Sequence, residues 1–125
     1  MLIRSLFMGL LLVLLSTAPH AQQATEIYIP IGASPGVSNT SSIIGTIATV
    51  SATDNALTVT DAAGTVTVSI PKETPIWLDR SAAAGTNEVG SPADLEAGLT
   101  VEVKYREAAR AASVTADWIK VQMTD

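Results

Sequence analysis

The stretch LTVTDAAGTVTVSI, residues 57–70, decides the fold class of this chain. On both sides of the turn at residues 61–64, apolar side chains alternate with threonine or serine. A period of two with many β-branched side chains is typical of strands that bury one face, and the glycine in the turn permits a tight reversal of the chain. The stretch therefore predicts an antiparallel hairpin with an apolar inner face and a threonine-rich outer face.

Further segments extend this pattern in both directions along the chain. Residues 43–50, 99–105 and 118–123 alternate in the same way and predict strands, and residues 76–78 predict a short strand or a strand extension. Residues 91–98 begin with a serine and a proline and end with a glycine, which are residues that favour the start and the end of a helical turn. We therefore expect one short helix immediately before the strand at residues 99–105.

Five strands with a short helix between the third and the fourth follow the element order of an OB-type barrel. The predicted fold is therefore all-β: a small five-stranded OB-like barrel, residues 43–125, with one short helix between strands 3 and 4. Closure of the barrel removes the exposed sheet edges through which a small monomeric domain would otherwise associate. An open β sandwich or a partly rolled sheet is the alternative.

The amino-terminal region has the order of a secretory signal peptide. Arg4 supplies a positive charge, an apolar run extends from Leu6 to Leu15, and small or polar residues lead to Ala21, after which we expect cleavage. The apolar run is about half the length that a membrane-spanning helix needs. The sequence therefore predicts a signal peptide over residues 1–21, a mature protein that is periplasmic or secreted, and no membrane span after cleavage.

Residues 22–42 form an amino-terminal segment that we expect to pack partly on the barrel domain. Isoleucine recurs at every second position within residues 25–31, which predicts a short strand. Pro30 has no N–H group to donate, so this strand is expected at the edge of a sheet. Residues 32–39 are rich in glycine, serine and proline and predict turns.

Charge and composition argue against several classes of function. The chain contains 7 Lys and Arg against 12 Asp and Glu, with a formal net charge of −5. Because nucleic-acid binding depends on cations that neutralise phosphates, we expect no nucleic-acid partner. The chain has no cysteine, and its one histidine, His20, falls in the predicted signal peptide. Thiol and imidazole nucleophilic machinery is therefore missing from the mature protein, and we expect it not to be an enzyme; catalysis by carboxylates alone is the remaining catalytic hypothesis.

The same composition argues against a metal ion or a cofactor. A soft copper site like that of periplasmic copper chaperones needs more than Met123, which is the one methionine beyond the signal peptide. Asp54, Asn55 and Asp61 lie at turns and offer oxygen ligands to calcium, but they fall short of the roughly six to eight oxygens that such a site takes. We therefore expect no metal site and no cofactor.

Two motifs carry a resemblance to a known group of proteins. The first strand contains a G-x-I motif in Gly45 and Ile47, and residues 94–103, DLEAGLTVEV, have the pattern D-L-x-x-G-x-x-V-x-V. Together with the short last strand at residues 118–121, these motifs resemble small exported bacterial OB-like β-barrel domains of unknown function. The resemblance implies the barrel fold over residues 43–123 and no particular chemistry.

Two tryptophans and two charged residues form the candidate binding patch. Trp77 and Trp118 are out of phase with the apolar residues beside them, which places both on the outer face of the sheet. Asp79 and Arg80 follow Trp77 closely, so the four side chains form a candidate patch for a peptide, a glycan or a partner protein. The alternative is that the segment around Tyr28, or the short helix, covers both tryptophans and that Asp79 and Arg80 form an ion pair.

These observations favour a non-catalytic exported binding or interaction module whose ligand is unknown. A structural or envelope-stress accessory protein that acts by self-assembly, with residues 25–31 pairing between chains, is a second hypothesis. A metal-binding periplasmic protein is a third. The sequence leaves the oligomeric state open.

Overall fold

The structure is a computed structural model that describes residues 25–124 of the 125-residue chain. Its strands are β1 (Ser42–Ser51), β2 (Ala56–Asp61), β3 (Gly64–Ser69), β4 (Ile76–Asp79), β5 (Glu88–Val89), β6 (Thr100–Tyr105) and β7 (Ser113–Gln122). Two single 3-10 turns, Ser81–Ala83 and Pro92–Asp94, lie in the connections. The predicted signal peptide lies outside the described residues. Within those residues, no helix has the length and the apolar character needed to cross a membrane.

Five of the strands close into a barrel. β1 pairs antiparallel with β2 and with β6, β2 pairs antiparallel with β3, and β6 pairs antiparallel with β7. A parallel pairing of β3 with β7 completes the ring. β4 and β5 extend the sheet, because β4 pairs in parallel with the last residues of β7 and antiparallel with β5. The structure therefore confirms the all-β prediction, and the closed barrel is consistent with the expected OB-like architecture.

The hairpin predicted from residues 57–70 is present as β2 and β3. Leu57 pairs with Val68 and Val59 pairs with Val66, and all four side chains are buried in the barrel core. The threonines between them lie on the outer face, where their hydroxyl groups bond across neighbouring strands. Alternation with a period of two thus determines which face of the hairpin is buried.

The short helix predicted within residues 91–98 is corrected to a single 3-10 turn, Pro92–Asp94. The Ser91 backbone N–H donates to the Asp94 carboxylate at 2.8 Å, which is the start of a capping box. Leu95 is already extended, with φ −85° and ψ 114°, and its side chain is buried in the barrel core. The helix ends after one turn because Leu95 has to leave the helical path to reach the core.

Residues 25–41 form a series of turns, which we call the strap. The edge strand predicted for residues 25–31 is not formed: the N–H groups of Tyr28 and Ile29 donate to carbonyl oxygens three residues earlier, at 3.1 Å each. The N–H groups of Ile31 and Gly32 donate to carboxylates of β4 and β6 instead of to a neighbouring strand. Barrel side chains therefore hold the strap against the outer side of β4, β6 and β7.

Candidate functional site

The two tryptophans of the predicted patch lie side by side but are not accessible. Trp77 in β4 and Trp118 in β7 have ring centroids 5.7 Å apart, with 41° between the ring planes. They are 8% and 4% exposed, and among the described residues they are the buried apolar side chains that stay outside the core cluster. Both therefore lie on the outer face of the sheet, as the alternation indicates, with other residues above them.

Lys120 connects the tryptophan pair to the strap. Its ammonium Nζ lies 4.6 Å from the centroid of the Trp118 ring, within the range of a cation–π interaction. The same Nζ donates to the Ile29 carbonyl at 2.9 Å, to Glu26 Oε1 at 2.8 Å and to Ser34 Oγ at 3.1 Å, all in the strap. Only 1% of Lys120 is exposed. The strap therefore covers this part of the outer face.

Glu102 is the buried carboxylate of the same face. It is 0% exposed and lies directly opposite Lys120 in the pairing of β6 with β7. Its Oε1 accepts a hydrogen bond from the Gly32 N–H at 2.9 Å. Its Oε2 accepts from the hydroxyl groups of Ser38 at 2.6 Å and Ser42 at 2.7 Å. These three hydrogen-bond donors offset the cost of burying this polar side chain.

Asp79 holds the strap from β4. It is 2% exposed, and its Oδ2 accepts from the Ile31 N–H at 2.8 Å. Its Oδ1 accepts from the N–H and the hydroxyl group of Ser81, at 2.9 and 2.6 Å. Burial raises the pKa of this carboxyl, but the hydrogen bonds from Ser81 and Ile31 outweigh burial, and the pKa lies below its ordinary value. Asp79 is therefore an ionised acceptor for the strap at neutral pH.

Arg80 forms an ion pair with Glu88, with 2.8 Å between Nη2 and Oε1. The side chain of Asn87 accepts from the Arg80 N–H at 2.8 Å and donates to the Ile27 carbonyl at 2.9 Å, which adds a further bond to the strap. The structure thus brings the four residues of the predicted patch into one region, beneath and beside the strap. The strap, which contains Tyr28, bonds to Lys120 over the Trp118 ring, in line with the alternative that this segment covers the tryptophans. The ion pair expected between Asp79 and Arg80 is wrong, because Arg80 pairs with Glu88 while Asp79 accepts from Ile31 and Ser81.

The carboxylates of the two turns, Asp54 and Asp61, have partners within the protein. Asp54 accepts a hydrogen bond from the Ser51 hydroxyl group at 3.1 Å. Asp61 accepts two hydrogen bonds from the Arg110 guanidinium, at 2.6 and 2.8 Å, and these lower its pKa to about 2. Nowhere within residues 25–124 do three or more His, Cys, Asp or Glu side chains come together in a way that could hold a metal ion.

An open cleft of about 710 Å³, which we call the end cleft, lies at one end of the barrel. Three segments contribute to its walls: residues 50–56 between β1 and β2, residues 70–76 between β3 and β4, and residues 90–95 around the second 3-10 turn. Most of the lining side chains are apolar, and Ile76 and Leu95 also belong to the barrel core. The cleft therefore opens from the core of the barrel towards solvent.

Backbone hydrogen bonds and one crowded glycine hold the walls of the end cleft together. The Ile70 N–H donates to the Asn55 carbonyl at 2.8 Å and ties the second segment to the first. The Gly90 N–H donates to the Ile76 carbonyl at 2.8 Å and ties the third segment to the second. A Cβ atom at Gly90 would lie 2.7 Å from Leu78 Cδ2, so glycine lets this segment approach β4 closely. The end cleft is therefore built into the fold, as ligand sites usually are.

Lys72 is the one charged residue in the lining of the end cleft. The other polar groups are the side chains of Ser51, Asn55, Thr74 and Ser91. In the part of the chain that the structure describes, Lys72 takes part in no salt bridge. Apolar walls with a few polar groups and one cation are typical of a site for a small ligand.

The end cleft is not predicted by the sequence. Its residues come from three separate connections, in which serine, alanine and proline are ordinary turn residues. The one signal that points to it is Lys72, a basic residue between Pro71 and Pro75 in an acidic chain. Lys72 alone does not indicate a binding site, because the sequence does not show that the other two connections lie beside it.

Comparison with known proteins gives no match: no family model, no curated protein and no solved structure is significantly similar to this chain. The class that the fold and the site define is a small closed β-barrel with a strap over one outer face and a cleft at one end.

Proposed function

We propose that this protein is a non-catalytic exported module that binds a small ligand in the end cleft. The observation that carries the proposal is the cleft itself, a concavity of about 710 Å³. Sites for small molecules have volumes of about 300 to 1,000 Å³ and are mostly apolar. Export is part of the proposal because of the signal peptide predicted for residues 1–21, and it is in line with the resemblance to small exported OB-like domains.

The buried charged side chains hold the strap and do not line the end cleft, which supports a binding role for the cleft. Asp79, Glu102 and Lys120 hold the strap, and each is engaged by several hydrogen-bond partners. The polar groups at the cleft are hydroxyls, one amide and one ammonium. Such groups suit the orientation of a ligand better than they suit proton transfer between a paired acid and base.

The strap argues against self-assembly through residues 25–31. This segment is turned and is bonded to the barrel of its own chain, through Ile31 to Asp79 and through Ile29 to Lys120. Pairing with a second chain would break these two bonds, both of which involve buried charged side chains. We therefore place the function in the end cleft and assign the strap a structural role.

The neutral probe N-phenyl-1-naphthylamine tests this proposal, because its fluorescence rises when it enters an apolar site. The wild-type protein should bind the probe saturably, at one site per chain. Ala93 lines the end cleft and is exposed, so Ala93→Trp should fill the cleft. We expect this variant to bind the probe at least about tenfold more weakly, which corresponds to about 1.4 kcal/mol.

Ala111→Trp is the matched control, because Ala111 is exposed and lies outside the lining of the cleft. This variant should bind the probe as the wild type does, and both variants should unfold at the wild-type temperature. The proposal fails if the wild type shows no saturable binding, or if Ala93→Trp binds the probe as tightly as the wild type.

A further inference from the structure

Most of the basic residues in this acidic protein are engaged by carboxylates. Arg4 lies outside residues 25–124, which leaves six of the 7 Lys and Arg in the described part. Four of the six form ion pairs: Arg80, Lys104, Arg110 and Lys120. Of the remaining two, Lys72 and Arg106, Lys72 lines the end cleft and Arg106 does not. The lining of the cleft therefore contains a cation that forms no ion pair within the described residues.

Lys72 stands on a well-defined turn at the edge of the end cleft. The N–H and the hydroxyl group of Thr74 both donate to the Pro71 carbonyl, at 3.0 and 2.7 Å. The ring of Pro71 restricts the backbone further. The base of the Lys72 side chain is thus held in place, while its ammonium group, on a flexible stem, is free to meet a ligand.

Among the described residues, the acidic side chains near the end cleft form no ion pair with this cation. Asp54 accepts a hydrogen bond from the hydroxyl group of Ser51 within its own turn. Asp94 accepts in the same way from the N–H and the hydroxyl group of Ser91. Neither of these carboxylates lines the cleft, and Glu73, which follows Lys72, does not line it either. The cleft therefore presents apolar walls with a single positive charge at the edge.

We infer that the end cleft takes a small amphipathic carboxylate, that is, an apolar chain or ring with one anionic group. The apolar body lies against Ile70, Ile76 and Leu95, and the carboxylate pairs with the Lys72 ammonium. A cationic ligand would be repelled by Lys72, and a neutral ligand would not form an ion pair with the Lys72 ammonium. The inference rests on the proposed function, since it names the ligand class of the same cleft.

Competition between matched ligands tests the choice of charge. Decanoate, decanol and decylammonium share an alkyl chain and differ in the charge of the head group. We expect decanoate to displace N-phenyl-1-naphthylamine at about fivefold lower concentration than decanol, which is the range of an exposed ion pair, and decylammonium to be the weakest. Acetate, which has the charge without the chain, should not displace the probe. A purely apolar cleft would prefer decanol, because decanol is the less polar of the two.

Substitution of the cation tests the choice of residue. Lys72→Met keeps most of the length of the side chain and removes its charge. We expect this variant to bind decanoate about fivefold more weakly and to bind decanol and the probe as the wild type does. Arg106→Met is the control, because it removes the same charge outside the cleft and should leave all three affinities unchanged. Added salt should weaken the binding of decanoate alone.

The outcomes separate this inference from the proposed function. If decanol competes as well as decanoate, or if Lys72→Met binds decanoate as tightly as the wild type, the inference is overturned while binding of the probe still supports the proposed function. If the wild type does not bind the probe saturably, the proposed function fails and the inference fails with it.

Discussion

Asp61 and Arg110 join the β2–β3 turn to the β6–β7 connection by a two-point ion pair. The Arg110 nitrogens donate to the two Asp61 oxygens at 2.6 and 2.8 Å, and the Ala63 N–H adds a hydrogen bond of 2.9 Å. The bond from Arg110 lowers the pKa of Asp61 from 3.8 to about 2. A carboxyl group with a lowered pKa stabilises the fold at pH values above its unfolded pKa. This contribution is therefore lost as the pH falls from about 4 through about 2.

We predict that Arg110→Met raises the pKa of Asp61 towards its ordinary value of 3.8. The measurement is an NMR titration of the Asp61 carboxyl carbon in the wild type and in the variant. The variant should also lose less stability than the wild type between about pH 4 and pH 2, since the pair that acid disrupts is already missing. Arg106→Met serves as the control and should not change the titration of Asp61. A wild-type pKa of Asp61 close to 3.8 would refute this interpretation.

Trp118 and Lys120 show how far the surroundings of the predicted patch could be predicted from the sequence. The alternation in residues 118–123 places Trp118 and Lys120 on the outer face, and the structure agrees. Their burial is not encoded in that strand, because the groups that bind Lys120 belong to the strap, and Glu26 is 94 positions away in the chain. A strand pattern identifies the two faces of a sheet, but it does not identify which outer face another segment covers.

The strap is the element that closes the outer face, and Ser38 is one of its attachment points. Its hydroxyl group donates to Glu102 Oε2 at 2.6 Å, and Glu102 is fully buried. Ser38→Ala leaves this carboxylate one donor short, which should lower the free energy of unfolding by about 1.5 to 3 kcal/mol. It should also loosen the strap and increase the quenching of Trp77 and Trp118 by iodide. Urea unfolding and fluorescence quenching measure the two effects.

Ser41→Ala is the matched control within the strap. Ser41 accepts a backbone hydrogen bond from Tyr105 through its carbonyl, and within the described part of the chain its side chain makes no hydrogen bond. We expect this variant to lose no more than about 0.5 kcal/mol of stability and to keep the wild-type quenching. In the wild type, the tryptophan emission should be blue-shifted and poorly quenched. Strong quenching in the wild type would contradict the burial of the two tryptophans.

The elements differ in how well local sequence predicts them. The hairpin of residues 57–70 is predicted correctly because its alternation, its turn and its burial all favour one structure. The helix within residues 91–98 has suitable capping residues, but the packing of Leu95 in the core overrides them. The strand predicted for residues 25–31 does not form, because the N–H groups of Tyr28 and Ile29 donate to carbonyl oxygens within the strap and that of Ile31 donates to the Asp79 carboxylate.

Within the barrel, β1 and β2 approach each other very closely at Gly45. A Cβ atom there would lie 2.4 Å from the Thr60 carbonyl oxygen and 2.9 Å from Val59 Cγ1. The pairing of the two strands shifts just beyond this point, between Ile47 and Thr49. Gly45→Ala would force the backbones apart, and we expect it to cost at least about 2 kcal/mol of stability. Thermal and urea unfolding measure this loss.

The neighbouring position provides the control for the substitution of Gly45. Thr46 is exposed in the same strand, and Thr46→Ala should cost less than about 1 kcal/mol, the range of strand propensity. If Gly45→Ala is no more destabilising than Thr46→Ala, the close approach of β1 and β2 does not exist in solution.

At the scale of the whole molecule, the barrel could be predicted and the end cleft could not. The alternating patterns predict the barrel strands, and a closed barrel removes sheet edges. The last strand is predicted only from residue 118, however, whereas β7 begins at Ser113, and the parallel pairing with β3 that closes the barrel lies at residues 113–115. The cleft depends on three connections, residues 50–56, 70–76 and 90–95, which meet only after the barrel has closed. None of these connections carries a motif. Their proximity results from the topology of the barrel, so no single segment predicts the cleft.

A backbone amide NMR titration with N-phenyl-1-naphthylamine tests whether the end cleft binds a small ligand. We expect the signals of residues 50–56, 70–76 and 90–95 to shift together and to saturate, while the signals of the strap stay in place. Shifts centred on Trp77 and Trp118, or no saturable shift at the cleft, would contradict binding in the end cleft.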